Sequence, residues 1–130
     1  MGAVLGSTRN GCRILLVEDE PLISELVAGV LEENGFTVHT VATARAALDY
    51  LSAGYETDLL FTDIMLPGGM NGAELAREVR KARPEMPIIY ASGFCGPNEL
   101  AAMVPRSIFL PKPYNPVDVC ALVNRIAATH

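Results

Sequence analysis

Short apolar runs without alternation between polar and apolar residues recur along the chain, most clearly at Arg13–Val17 and Leu59–Asp63. Such a run is typical of a strand that is buried on both faces of a parallel sheet. Three more strands are predicted at the β-rich segment 36–41, at residues 86–91 and at residues 108–110. The pattern therefore predicts a largely buried sheet of five strands.

Helical periodicity occupies the intervals between these strands. After Pro21, apolar residues recur at positions i, i+3, i+4 and i+7 to about Asn34, and Gly35 is a typical helix stop. Asn71 and Glu74, which are three residues apart, have the pattern of a capping box. Four further helices are predicted: residues 42–51, the segment that starts after Asn71 and ends before Pro84, residues 97–103, and the segment after Asn115.

Strands that alternate with helices require right-handed crossovers, which predict a parallel sheet. The expected architecture is a flavodoxin-like, doubly wound α/β fold with three layers and five helices. With the strand order 2-1-3-4-5, the first and third strands are neighbours, and ligands bind at their junction. We expect residues 1–11 to be a flexible lead-in and residues 12–130 to be a single domain.

Composition and charge narrow the range of partners. Of the 130 residues, 50% are hydrophobic and 19% are charged, which is typical of a globular protein. The net charge of −5 argues against direct binding to nucleic acid, because phosphates are bound by clustered Lys and Arg. No apolar run approaches the roughly 18 residues of a membrane span, and the amino terminus lacks a secretory pattern. Cys12, Cys95 and Cys120 have no metal-type spacing, so we expect reduced thiols and a cytoplasmic location.

Charged or hydroxyl side chains stand at the ends of four predicted strands. They are Glu18, Asp19 and Glu20 after the first strand, Asp63 at the end of the third, Ser92 after the fourth and Lys112 after the fifth. The carboxyl ends of parallel strands share one edge of the sheet, so we expect these side chains to converge. Converging carboxylates repel one another, and Mg²⁺ relieves that repulsion because it binds carboxylates, waters and phosphate oxygens.

The chemical interpretation depends on Asp63. An unpaired buried charge is costly, so Asp63 is expected at the edge of the sheet rather than inside its core. A carboxylate beside Mg²⁺ can attack phosphorus, while Lys112 and the Ser92 hydroxyl would bind the phosphoryl oxygens. Plainer alternatives stay open: Asp63 as a turn cap, Ser92 as a turn residue and Lys112 as a solvated surface side chain. The acidic run 18–20 could likewise be only the N-terminal cap of a helix.

In this order and at these strand ends, the residues resemble the response-regulator receiver domain of two-component signalling, over residues 13–128. The matching motifs are Glu18-Asp19, Asp63 with Leu66-Pro67, Gly72, Ser92 and Lys112-Pro113. The loop and the Ser-Gly-aromatic turn resemble those of receivers attached to hybrid sensor kinases and of some stand-alone bacterial receivers. The resemblance implies a phosphoprotein that catalyses its own phosphorylation and dephosphorylation, not a multiple-turnover enzyme.

The resemblance also implies roles for individual residues. Asp63 would accept a phosphoryl group from the phosphohistidine of a histidine kinase or phosphotransfer domain. Mg²⁺ would be bound by Glu18, Asp19, Asp63 and the backbone carbonyl of Met65. The remaining implied roles are catalysis by Lys112 and Ser92, and switching by Ser92 and Phe109.

The implied output is a change in the surface formed by the fourth predicted helix, the fifth strand and the fifth helix, where a downstream protein partner would bind. Phe109 occupies the position of the family's switch aromatic, although the sequence favours the plainer alternative of an ordinary strand core residue. We also predict that the Lys112-Pro113 peptide bond is cis, because Lys112 must turn back toward Asp63 directly after a strand.

The sequence departs from the family pattern at three places. Glu18 stands where many members have Asp, the loop 66–72 is one residue longer than the common pattern, and Ser92 is followed by Gly93 and Phe94. One alternative is a pseudo-receiver, an interaction module that is not phosphorylated. A second is an aspartyl-phosphate phosphatase of the haloacid-dehalogenase type, against which Met65 counts because such enzymes have a second Asp there. A third, a flavodoxin-type nucleotide carrier, would have a Gly- or Ser/Thr-rich loop after the first strand.

Overall fold

A computed structural model describes residues 12–93 and 102–129, with side chains described as far as residue 126. In chain order, the elements are β1 (Arg13–Val17), α1 (Pro21–Glu33), β2 (Thr37–Val41), α2 (Ala44–Ser52), β3 (Leu59–Asp63), α3 (Gly72–Ala82), β4 (Ile88–Ser92), β5 (Ser107–Pro111) and α4 (Pro116–Thr129).

The five strands form one parallel sheet in the order β2-β1-β3-β4-β5, which confirms the predicted fold class and strand order. Four helices rather than five lie within the described residues. The predicted helix at 97–103 falls largely outside them. None of the helices that these residues form is long and apolar enough to cross a membrane.

The buried strands explain the apolar runs in the sequence. Along β1, Ile14 and Leu16 belong to the core cluster that contacts α1 and α4, whereas Leu15 and Val17 belong to the cluster that contacts α2 and α3. All five residues of β3 are buried. Helices cover both faces of the central strands, so the side chains on both faces are apolar. The sequence of such a strand therefore shows no alternation of polar and apolar residues.

Two predicted boundaries were wrong by about two residues. The fourth strand starts at Ile88 rather than at Met86, because the Met86 N–H donates to Arg83 O at 3.1 Å and Pro87 has no N–H. The same strand extends through Ser92, whose carbonyl accepts a hydrogen bond of 2.8 Å from the Lys112 N–H. Helix α2 starts at Ala44 rather than at residue 42, since Thr43 is its N-cap.

The start of α3 matches the prediction. Asn71 Oδ1 accepts from the Glu74 N–H at 2.8 Å, and Glu74 Oε1 accepts from the Asn71 N–H at 2.9 Å, which is a complete capping box. This cap fixes the first turn of α3 close to the carboxyl end of β3. Helix α1 starts at Pro21, directly after the acidic run that follows β1.

Candidate functional site

Three carboxylates meet where β1 and β3 end. The side chains of Glu18, Asp19 and Asp63 each place an oxygen within 4.8 Å of the others. Glu18 and Asp63 are only 5% and 7% exposed, whereas Asp19 is exposed. The sequence therefore predicted correctly that these three residues converge at one edge of the sheet.

Backbone pairing holds Glu18 in this position. Its N–H donates to Val41 O at 3.0 Å and so extends the pairing of β1 with β2 by one residue. Its side chain then folds back, because Glu18 Oε2 accepts from the Glu20 N–H at 3.1 Å. The carboxylate is thus held over the end of β1 and does not extend into solvent.

Lys112 reaches two of the three carboxylates. Its Nζ lies 2.8 Å from Asp63 Oδ2 and 3.2 Å from Glu18 Oε1, and its side chain is 21% exposed. The Lys112-Pro113 peptide bond is cis, as predicted. Because one ammonium faces three carboxylates, the cluster keeps an excess of negative charge that a cation would compensate.

Burial and charge perturb the ionisable groups of this cluster. Burial raises the pKa of Glu18, although hydrogen bonds from the Glu20 N–H and from Lys112 oppose the increase. Burial alone would lower the pKa of Lys112, but hydrogen bonding and attraction to Asp63 and Glu18 outweigh it and raise the pKa. Lys112 therefore stays protonated and positively charged at neutral pH.

The backbone after β3 orients Asp63. Its Oδ1 accepts from the Met65 N–H at 3.3 Å, while Oδ2 is the oxygen paired with Lys112. The Ile64 N–H donates to Ala91 O at 2.9 Å, so the pairing of β3 with β4 continues past Asp63. The Met65 side chain, by contrast, is 60% exposed. Asp63 is thus fixed on the sheet, and the chain leaves the sheet directly after it.

Gly72 contacts the backbone of Asp63. A Cβ at this position would overlap the carbonyl oxygen of Asp63 and would lie 2.9 Å from Ile64 Cα. The Gly72 N–H donates to Ile64 O at 2.8 Å. Glycine is therefore required here by the close approach of two backbones, and the first residue of α3 lies directly against the end of β3.

Comparison with known proteins identifies the family. The family model described as "Response regulator receiver domain" matches residues 14–124. The chain belongs to the response regulator receiver domain family. This is a family of signalling domains rather than of enzymes that act on small molecules.

Individual relatives agree with this receiver domain assignment. The chain is 35% identical over 119 residues to the nitrogen assimilation regulatory protein NtrX of Azorhizobium caulinodans, with 89% of this chain and 26% of that protein covered. It is 35% identical over 117 residues to the sensor kinase CckA of Brucella abortus, covering 87% of this chain and 12% of that protein. The chain thus corresponds to a small part of these longer proteins.

A solved structure has the same fold. The crystal structure of a response regulator receiver protein from Sinorhizobium medicae superimposes with a TM-score of 0.85 at 30% identity, covering 91% of this chain and 95% of that one. The sheet order found here is therefore shared with a receiver protein of known structure.

Ser92 and Phe109 occupy different environments in the receiver domain. Ser92, 1% exposed, is the last residue of β4, and its backbone contacts Lys112. Phe109 lies mid-strand in β5, opposite Tyr90, and packs against the cluster beneath α2 and α3. Ser92 therefore lies at the carboxylate edge of the sheet, whereas Phe109 lies below that edge. The switch role of Phe109 stays a prediction.

Tyr114, which the sequence did not indicate as a site residue, lies near the carboxylates. Its ring packs against Phe61 with centroids 5.8 Å apart. Burial raises its pKa to about 12, and the negative charges of Glu18 and Asp63 add to the increase. The phenol is therefore neutral at physiological pH. The one signal in the sequence that could have placed Tyr114 near the carboxylates is its position two residues after Lys112.

Proposed function

We propose that this receiver domain accepts a phosphoryl group on Asp63 from the phosphohistidine of a histidine kinase or phosphotransfer domain, with Mg²⁺ bound beside it. The observation that carries the proposal is the 2.8 Å contact between Lys112 Nζ and Asp63 Oδ2 within a cluster of three carboxylates. This arrangement combines a nucleophile, a fixed positive charge and a set of hard oxygen ligands at one point.

The donor atoms fit Mg²⁺. Glu18, Asp19 and Asp63 offer carboxylate oxygens within 4.8 Å of one another, and Mg²⁺ prefers oxygen ligands together with several waters. We assign these three side chains and the backbone carbonyl of Met65 as its ligands. When bound, the ion supplies positive charge that neutralises the carboxylates and the phosphoryl oxygens.

The side chains of the chain itself perform the transfer. A carboxylate oxygen of Asp63 attacks phosphorus, the new oxygen–phosphorus bond forms, and the phosphorus–nitrogen bond of the phosphohistidine breaks with its electron pair retained by the imidazole. Lys112, paired with Asp63 in the resting state, then binds a phosphoryl oxygen and stabilises the charge that develops there. The hydroxyl of Ser92, on the adjacent strand, is assigned a hydrogen bond to another phosphoryl oxygen.

Exposed apolar side chains near the site support a protein as the phosphoryl donor. Leu22 and Leu26, on α1, are 80% and 59% exposed, and Val117 at the start of α4 is 62% exposed. Both helices start at the carboxyl edge of the sheet, beside the carboxylates. Such residues fit the apolar face of a helix in the donor, and the similarity to CckA, a sensor kinase by name, agrees with this.

We infer that phosphorylation changes the surface formed by segment 97–103, β5 and α4, to which a downstream protein partner binds. The main-chain hydrogen bond between Lys112 and Ser92 links the ends of β4 and β5. If either residue moves when it binds the phosphoryl group, both strand ends are therefore displaced. Segment 97–103 lies largely outside the described residues, and Phe109, in the middle of β5, is the described switch candidate of that surface.

The test is phosphorylation by a small-molecule phosphodonor, followed by intact mass measurement. The parent protein should gain one phosphoryl group with Mg²⁺ and none with chelator, and Asp63→Asn should gain none in either condition. Asp49→Asn is the matched control, because Asp49 is an exposed carboxylate on α2, and it should behave like the parent. Full modification of Asp63→Asn would refute the assignment, and an unmodified but folded parent would favour the pseudo-receiver alternative.

A further inference from the structure

A groove lies at the amino edge of the sheet, the edge opposite the carboxylates. Its volume is about 140 Å³, and its apolar lining includes Ile88, Ile108 and Ile126, from β4, β5 and α4. Three charged residues, Arg80, Arg106 and Glu85, also line it. A cavity of about 150 Å³ holds a benzene ring, so this groove is large enough for one apolar side chain.

Arg80 is held rigidly at this groove by three backbone carbonyls. Its Nε donates to Met86 O at 2.8 Å, Nη1 to Pro105 O at 2.7 Å and Nη2 to Arg106 O at 3.0 Å. These acceptors are neutral, so the positive charge of Arg80 is fixed in place without being cancelled. A fixed charge loses little freedom when a ligand binds.

Arg106 has an unusual backbone conformation and one long ion pair. Its φ of 58° is in the left-handed region, which is uncommon for a residue other than glycine, Asn or Asp. Its carboxylate neighbour is Glu85, but Arg106 Nη1 and Glu85 Oε1 are 4.0 Å apart and both side chains are largely exposed. Burial and the nearby positive charge of Arg106 lower the pKa of Arg80. The charged lining of the groove is therefore two guanidinium groups and one carboxylate, with a net charge of +1.

The charge distribution along the chain also favours an acidic ligand at this groove. Residues 77–106 contain five of the ten Lys and Arg residues and three Glu residues, so this stretch has a net charge of +2, although the whole chain has a net charge of −5. The carboxylate cluster lies at the other edge. An acidic ligand is thus attracted to the amino edge and repelled from the carboxyl edge.

We propose that this groove binds a peptide segment of a protein partner in which a large apolar side chain stands next to Asp or Glu. The apolar side chain fills the space between Ile88, Ile108 and Ile126, and the carboxylate pairs with Arg106 and Arg80. β4 spans about 13 Å from Ile88 to Ser92, at about 3.3 Å per residue. The groove is therefore separate from the Asp63 site and could be occupied together with it.

The probe is the dipeptide N-acetyl-leucyl-aspartyl-amide, titrated into protein labelled at the isoleucine methyl groups and followed by NMR. Saturable shifts are expected at Ile88, Ile108 and Ile126, with none at Ile14 in β1. The neutral analogue with Asn in place of Asp should bind about tenfold more weakly, because it lacks the charge-assisted pairing.

Two variants separate a specific site from general attraction. Arg106→Asn removes the charge, and Asn tolerates the left-handed backbone, so the fold is retained and binding of the acidic dipeptide should weaken about tenfold. Arg83→Asn removes an equal charge from the same edge outside the groove and should leave binding within about twofold.

Equal weakening by both variants, equal binding of the neutral dipeptide, or the absence of shifts at the three isoleucines would each overturn the proposal. Tighter binding of hexanoate than of the dipeptide would also overturn it, in favour of a free small carboxylate. Modification of Asp63 by the phosphodonor should be the same in Arg106→Asn as in the parent, so failure of this groove is distinguishable from failure of the phosphoacceptor site.

Discussion

The two edges of the sheet use charged side chains in opposite ways. At the carboxyl edge, the carboxylates of Glu18, Asp19 and Asp63 lie close together, and the ammonium of Lys112 pairs with two of them, Glu18 and Asp63. At the amino edge, the guanidinium of Arg80 donates to three neutral carbonyls that belong to the turns before β4 and β5. One edge brings like charges together, and the other directs a charge at the negative ends of backbone dipoles.

The charged side chain at the amino edge stabilises the fold, whereas the carboxylates at the carboxyl edge are held in position by the rest of the fold. Hydrogen bonds from a charged donor to neutral acceptors are favourable without any third component. Carboxylates about 4 Å apart repel by about 4 kcal/mol at an effective dielectric constant near 20, before Lys112 offsets part of this. The carboxyl edge must therefore be stabilised by its buried strands and by close backbone packing, not by its own polar side chains.

The largest expected effect tests that backbone packing. Gly72→Ala should lower the free energy of unfolding by about 3 kcal/mol, because the new Cβ would overlap the Asp63 carbonyl and force α3 away from β3. Gly29→Ala is the matched control, since no atom lies within 4 Å of its added Cβ, and it should raise stability by about 0.5–1 kcal/mol. Equilibrium unfolding in urea measures both, and equal stability of the two variants would contradict the close approach.

The next effect sharpens the contrast at the amino edge. Arg80→Met should lower the free energy of unfolding by about 2 kcal/mol, because three carbonyls lose a charged donor. The loss should be the same in chelator and in saturating Mg²⁺, since this edge is about 13 Å from the carboxylates. Arg83→Met, at the end of the same helix, serves as the control and should stay within about 0.5 kcal/mol of the parent. A loss that depends on Mg²⁺ would mean that the two edges are coupled.

The smallest effect concerns the pH dependence of the carboxyl edge. The pKa of Glu18 is raised above its ordinary value of 4.5 by burial, so the folded state binds this proton more tightly than the unfolded state. The resulting stabilisation is fully present below pH 4.5 and is lost as the pH rises through the raised value. Glu18→Gln should therefore gain stability relative to the parent as the pH increases toward neutrality. Urea unfolding in chelator at a series of pH values measures the difference, and a difference that shrinks with increasing pH would reverse the sign.

Most of the fold and much of the site could be predicted because the signals are local. The apolar run that ends at Asp63 identifies a doubly covered strand and its charged end without any knowledge of distant residues. Asn71 and Glu74 likewise form their capping box within four residues. The convergence of Glu18, Asp19 and Asp63 then followed from strand order alone.

Contacts between residues distant in sequence could not be predicted in this way. Arg80 has nothing in its local pattern that distinguishes it from Arg83. Within the part of the chain that the structure describes, however, it is the Arg80 side chain that donates to carbonyls 25 and 26 residues later. The pairing of Lys112 with Glu18 joins residues 94 positions apart and depends on how Glu18 folds back. Likewise, the ring of His39 in β2 stacks on that of Tyr50 in α2, with centroids 4.0 Å apart.

The contact of Gly72 with the end of β3 has a consequence for the loop between them. Because the Gly72 N–H is bonded to Ile64 O, residues 65–71 leave and rejoin the body of the domain at one point. Lengthening such a loop by one residue costs only about 0.1 kcal/mol of closure entropy, and Gly68 and Gly69 already adopt positive φ values of 90° and 95°. An insertion between Gly68 and Gly69 would therefore leave in place both Met65, which donates to Asp63, and the Asn71 cap, which makes this point of the loop a suitable place to graft an epitope or a fluorophore attachment site.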